Sequence, residues 1–162
     1  MIAVINYKMG NLESVRNMLK RIGVAASITS DIAAIEAAEK LILPGVGAFD
    51  AGMDNLRYLG LLEVIRKKTM IEKTPILGIC LGMQLLTKKS EEGTREGMGF
   101  LDAETKKFDF SGIKEDLKIP HMGWNTVAVK KTNCSRGWKM IPAFILSIHT
   151  TWCAKIGKMW PR

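Results

Sequence analysis

Residues 76–86, ILGICLGMQLL, set Cys80 between Gly78 and Gly82, where an apolar run gives way to a helical pattern. G-x-C-x-G has the form of a nucleophile elbow. A strand must turn sharply into a helix, small flanking residues relieve the crowding, and the central side chain is presented above the sheet. The start of a helix favours a thiolate, and the N–H of Leu81 points where an oxyanion would form. A buried structural cysteine between a strand and a helix carries the same short pattern. The five residues by themselves leave both readings standing.

Outward from this turn, short apolar runs alternate with amphipathic segments, as in a parallel sheet wrapped by helices. MIAVINY reads as a buried strand ending at Tyr7. GNLESVRNMLKRIG then places Leu12, Val15, Met18, Leu19 and Ile22 on one helical face, and Gly23 stops the helix. VAASI predicts a second strand, IAAIEAAE a short helix, and KLILPG a third strand halted by Pro44 and Gly45. A helix is expected from about Ala51 to Lys67, with Met53, Leu56, Leu59, Leu62 and Ile65 inward. TPILGI is the next strand and LGMQLLTKKS the helix after it. From Thr94 an irregular stretch precedes WNTVAVKK, an alternating strand. The fold class is α/β, a three-layer domain whose chemistry should lie outside the carboxyl ends of the strands. Both unusual loops, PGVGAF (44–49) and GICLG (78–82), fall there.

The chain has 162 residues, enough for one domain with a real core and too few for two. No apolar run approaches the ~20 residues of a membrane span, and the N-terminus lacks the pattern of a secretory signal, so a soluble, cytoplasmic protein is expected. Three cysteines without close spacing argue against a disulfide framework and against paired zinc ligands. The net charge of +8 could suggest nucleic acid, but residues 134–162 hold five cations and no acid, leaving +3 for residues 1–133. That last stretch also holds Trp138, Trp152 and Trp160 of the four tryptophans. Composition changes near Asn133.

The PGVGAF loop adds weight to the elbow, because glycines around Val46 let backbone amides approach a ligand and supply a second oxyanion donor. By itself it reads equally as an ordinary strand-ending turn. Five segments in order, NYKMGNLESV, LILPGVGAFDAGM, PILGICLGMQLL, GMGFLDAE and KIPHMGWNTV, resemble the class I glutamine amidotransferases, and specifically the glutaminase subunits of imidazole glycerol phosphate synthase. The resemblance covers essentially all of residues 1–132 and implies their flavodoxin/Rossmann-like fold. It implies that Cys80 attacks the side-chain amide of glutamine to form a glutamyl thioester, releasing ammonia. It assigns the oxyanion-hole amides to Val46 and Leu81, and substrate contacts to Gly47 and Gln84; a bland reading makes Gln84 an exposed helix residue. It also implies that Asn11, Met122 and Trp124 lie on the surface that docks the cyclase, a (β/α)8-barrel subunit receiving the ammonia. No metal or organic cofactor is implied. His121, the only histidine before residue 134, falls at the partner surface rather than at the base position.

The family pattern fails late in the chain. It completes the site with a histidine and a glutamate in an H-P-E motif, the imidazole accepting the cysteine proton and the carboxylate orienting the ring. His149 sits in SIHTTW, with neither Pro nor Glu after it. The domain is therefore expected to be incomplete at its C-terminus, partial over 1–133 and followed by an aberrant tail over 134–162. Reading from the third base of each codon through the first two bases of the next, permitted codons for Asn133–Arg162 give LFEGLEDDSRFYFVHSHHVVCKDREDVAA, without a stop. That string is similar to the family. Trp138 before Lys139 must yield Glu, and Met140 before Ile141 must yield Asp. Loss of one nucleotide in codon 133 would produce the observed register, and little or no glutaminase activity is then expected of the chain as written. Three rivals remain: a subunit that docks on the barrel without hydrolysing glutamine, a G-x-C-x-G hydrolase of another α/β family, and nucleic-acid binding by the basic tail.

Overall fold

A computed structural model describes residues 1–107, 121–125, 144–148 and 150–153. The chain divides into two compact units, one built on residues 1–106 and one within residues 107–151.

In the first unit, four strands form a parallel sheet: β1 (Ile2–Ile5), β2 (Ala26–Thr29), β3 (Lys40–Gly45) and β4 (Ile76–Cys80). Their order is β2-β1-β3-β4. Parallel neighbours need crossover connections, and five helices supply them or follow the last strand: α1 (Leu12–Arg21), α2 (Ile32–Glu36), α3 (Phe49–Tyr58), α4 (Leu61–Arg66) and α5 (Leu81–Leu85). Ala3, Ile5, Leu41 and Leu43 point to one face, where they join Ile35, Phe49, Met53, Leu56, Leu61, Ile65, Leu81 and Leu85 in a continuous core. Val4 and Ile42, which alternate with them, are buried on the other face. Helices on both faces of a parallel sheet make the expected three-layer arrangement.

The boundaries depart from expectation in ways the local chemistry explains. β1 stops at Ile5 rather than Tyr7 because Asn6 turns the chain: its Oδ1 accepts from the Lys8 N–H at 3.1 Å, and Lys8 has φ +65°. Asn11 caps α1 by accepting from the Ser14 N–H at 3.1 Å. Only Leu12, Val15 and Leu19 of its expected inner face are half-buried, while Met18 and Ile22 are exposed. At 100° per residue, Met18 sits about 90° around the helix from the centre of that stripe, and Ile22 lies past the last helical residue. α2 ends at Glu36, three residues early, because β3 starts at Lys40.

The long helix expected from Ala51 to Lys67 is two helices. Gly60, at φ +67°, breaks it in a left-handed conformation that glycine tolerates without strain. A π-helical turn, Lys67–Ile71, then extends α4. The break re-phases the inner face: Met53, Leu56 and Ile65 are buried as expected, Leu59 and Leu62 only half-buried, and Leu61 and Val64 join the core instead. α5 is also shorter than expected. Thr87 turns its hydroxyl back onto the Gln84 carbonyl at 2.7 Å, and the chain enters β5 (Lys89–Ser90), which pairs in parallel with β6 (Glu104–Lys107). Between them the chain is irregular, as the glycines suggested.

In the second unit, β7 (His121–Asn125) pairs antiparallel with β8 (Phe144–Ile148), while β9 (Thr150–Cys153) follows β6 in the sheet order β5-β6-β9. The strand expected in WNTVAVKK therefore begins upstream, at His121. Its residues 126–131 lie outside the described residues.

Truncating Leu56, fully buried in the core, to alanine should cost ~2–5 kcal/mol in urea unfolding. Ile22→Ala, at an exposed position, should stay within ~0.5 kcal/mol.

Candidate active site

The sheet places two loops side by side. β3 and β4 pair in parallel register from Leu41 opposite Ile76 to Gly45 opposite Cys80. The next residues, Val46 and Leu81, therefore leave the carboxyl ends of neighbouring strands together. Gly10, in the loop after β1, packs on the same place, since a side chain there would meet the Gly45 Cα at 3.1 Å. The order β2-β1-β3 changes the direction of winding between β1 and β3, the position at which such sheets open a crevice. A cleft of about 780 Å³ lies there, lined by Asn6, Lys8, Met9, Gly10, Asn11 and Val46 among others.

Cys80 caps α5 with φ +54° and ψ −119°, a conformation that side-chain-bearing residues rarely adopt. Such strain costs ~1–3 kcal/mol and persists only where surrounding structure imposes it. Here both flanking glycines impose it. A Cβ on Gly82 would run into the Leu43 carbonyl oxygen, and one on Gly78 would run into the Met83 backbone. The helix can therefore start immediately after the strand only if both positions lack side chains. The result is a free thiol exposed at the end of the sheet, beside the first turn of α5, whose Leu81 and Leu85 anchor it in the core.

Around this turn the expected residues separate by element. Cys80, Leu81, Val46 and Gly47 gather at the β3 and β4 ends. Val46 is exposed, and Gly47 has φ +122°, beyond the reach of ordinary side chains. Gln84 is not an exposed helix residue: it is buried, and its Oε1 accepts from the Ser90 hydroxyl at 3.3 Å. Asn11 lines the cleft with Val46. Met122, Trp124 and His121 lie on β7, in the second unit. His149 lies outside the described residues.

Two residues belong here that sequence reasoning missed. Tyr7 is fully buried, and its hydroxyl has no hydrogen-bond partner among the described residues. Burial, and secondarily the negative charge of Cys80, pushes its phenol well above the usual range. Asp50, in the first turn of α3, ties down the segment after α5. Its carboxylate accepts from the Thr94 N–H at 2.9 Å, the Thr94 hydroxyl at 2.9 Å and the Arg95 N–H at 2.9 Å. These backbone donors, Arg95 first, hold its carboxyl below the ordinary carboxylate range. The aspartate one residue after PGVGAF was the available signal.

The class-I glutamine amidotransferase family model matches residues 3–148. The chain belongs to the class I glutamine amidotransferases. Among its relatives, a Methanococcus maripaludis protein named imidazole glycerol phosphate synthase subunit HisH 2 is 58% identical over 127 residues, covering 78% of this chain and 61% of that protein. A Pseudomonas aeruginosa protein of the same name is 51% identical over 128 residues, 79% of this chain and 62% of the other. The Bacteroides fragilis subunit HisH is 41% identical over 149 residues, 92% of this chain and 72% of the other. The chain thus spans about three fifths of the first two relatives. A crystal structure of a glutamine amidotransferase matches the fold with a TM-score of 0.61 at 20% identity, covering 78% of this chain and 64% of that one. In this amidotransferase domain no helix among the described residues is long and apolar enough to cross a membrane.

Gly82→Ala should cost ~3 kcal/mol or more, because backbone rather than a movable side chain blocks the added methyl; urea denaturation measures it. Asp50 is expected to report on acid. Its folded-state pKa is depressed, so its tether is intact above the ordinary carboxylate range and lost as pH falls through the lowered value. The amide shifts of Thr94 and Arg95 should move together there, and Asp50→Asn should abolish that transition.

Proposed function

We propose that this chain is by family a glutaminase subunit of imidazole glycerol phosphate synthase, the kind of subunit that hydrolyses glutamine to glutamate and ammonia for a cyclase partner in histidine biosynthesis. The observation that carries the proposal is the forced conformation of Cys80 between two glycines that cannot bear side chains, paired in register with the 44–47 loop. The relatives are named as subunits of imidazole glycerol phosphate synthase, and the family's name supplies glutamine.

The chemistry is acyl transfer. The Cys80 thiolate attacks the glutamine side-chain carbonyl carbon, and negative charge collects on its oxygen. The Val46 and Leu81 amides would receive that oxyanion, with Gly47 allowing the loop peptide to turn toward it. The C–N bond then breaks, ammonia leaves with a proton, and water hydrolyses the thioester to glutamate and free thiol. Gln84 would contact the substrate from one helical turn beyond Cys80. Asn11, Met122 and Trp124 would face the (β/α)8-barrel cyclase, to which ammonia passes. A cytoplasmic location fits a biosynthetic role of this kind.

The proton acceptor is not assigned to His121 or His149. We attribute the change of composition after Asn133 to a displaced reading frame, supported by the family-like string in the alternate register and by the five cations without an acid in residues 134–162. On that reading the translated chain has little glutaminase turnover of its own and binds the barrel through its retained YKMGN and PHMGWN segments. Sequencing the DNA across codons 130–136 tests the frame. Codons compatible with the alternate register are expected, and incompatible ones would refute it.

Function is tested by mixing the full chain with a cyclase barrel subunit and glutamine. Barrel binding with ammonia release that Cys80→Ala abolishes supports the complete enzyme. Binding without release supports docking alone, and neither would sink the assignment for this chain.

A further inference from the structure

We propose that Tyr7 is a positioning residue for the nucleophile, its buried phenol donating an O–H···S hydrogen bond that holds the Cys80 sulfur as it becomes a thiolate. The inference rests on the reading of Cys80 as a nucleophile. Its basis is the geometry beneath the elbow.

Tyr7 follows β1, the strand paired with β3, and its side chain is fully buried in the core face of the sheet. The phenol oxygen stands where a side chain on Gly45 would begin; an added Cβ there would run into it, and would also press on the Gly82 N–H at 2.8 Å and the Leu81 Cβ at 2.9 Å. Gly45 is the cross-strand partner of Cys80. Neighbouring strands lie about 4.8 Å apart. The hydroxyl therefore fills the space at Gly45, across the ladder from Cys80 and against the Gly82 N–H and Leu81 Cβ at the start of α5.

That hydroxyl has no hydrogen-bond partner among the described residues. A buried donor left unpaired is costly, and native structures rarely keep one without a use. Burial keeps the phenol neutral, so it remains a donor, and the one charge that acts on it is that of Cys80. A neutral donor beside a group that gains negative charge is stabilising in that state alone. Glycine at 45 thus has a second role besides ending β3, since any side chain would displace the phenol. Cys80 itself is exposed, so a donor from the core side steadies the sulfur without occupying the space a substrate needs.

The test is the rate of Cys80 alkylation by iodoacetamide in the full chain, with peptide mass spectrometry separating Cys80 from Cys134 and Cys153. Tyr7→Phe should slow alkylation about tenfold at pH 7, the loss of one hydrogen bond to a charged acceptor, and should move the rate profile to higher pH with no fall in Tm. A merely structural Tyr7 predicts an unchanged rate and an unmoved pH profile, with Tm held on either reading. That outcome overturns the proposal. Should Tyr7→Phe fail to fold, 3-fluorotyrosine at position 7, a stronger donor of nearly the same shape, should speed alkylation at pH 6, and an unchanged rate there overturns the proposal as well. If wild-type Cys80 reacts no faster than in the urea-unfolded chain, the nucleophile reading fails, and the role of Tyr7 falls with it. That result differs from an activated Cys80 indifferent to Tyr7.

Discussion

The pairing of β3 with β4 is the constraint on which the rest of the molecule depends. Five successive residue pairs, ending at Gly45 opposite Cys80, bring two loops far apart in sequence to one place at the carboxyl edge of the sheet. A slip of one residue would turn Cys80 to the opposite face. It would also move Gly82 from its position against the Leu43 carbonyl. The register is held by the burial of Leu41 and Leu43 in the core, so the stability of the hydrophobic layer and the geometry of the thiol are one problem. Strain at Cys80 is small beside the many buried groups that impose it.

Around this seam the loops are secured by different forces. The 44–47 loop is held by close backbone approach, with Gly10 against Gly45 and Gly47 beside Met9. The segment after α5 is held by charge-assisted hydrogen bonds to Asp50, which also sits just beyond the same loop. α5 is five residues long and gains its stability from Leu81 and Leu85 rather than from helical length. A short helix anchored by two core leucines keeps the thiol at a fixed height above the sheet.

Much of this was legible in the sequence, for physical reasons that can be named. β1 and β3 showed as apolar runs because both of their faces are buried, whereas β2 is half-buried and β4 leaves Leu77 and Ile79 exposed; the elbow showed because its two glycines answer a steric demand. Gly60 is a further readable signal: apolar spacing continues across it, yet its left-handed backbone splits α3 from α4. The inner face of α1 was overdrawn at Met18 and Ile22 because periodicity gives a helix's apolar side but not the width of its contact. Tyr7 was placed in a strand as one more apolar residue. Only the fold shows its hydroxyl beneath the elbow, because that position depends on a neighbouring strand's glycine. Gln84 was readable as a helix residue one turn from the thiol, while its burial against Ser90 depends on how early α5 ends.

The central claim is that the forced turn at residues 78–82 makes Cys80 a nucleophile shaped for glutamine. Its most direct test is covalent labelling of the full chain by a chloroketone analogue of glutamine, read by peptide mass spectrometry with and without excess glutamine. The structure predicts a single adduct on Cys80, suppressed by glutamine, with Cys134 and Cys153 unlabelled at the same dose. Equal labelling of all three cysteines, or labelling of Cys80 that glutamine does not protect, would contradict it.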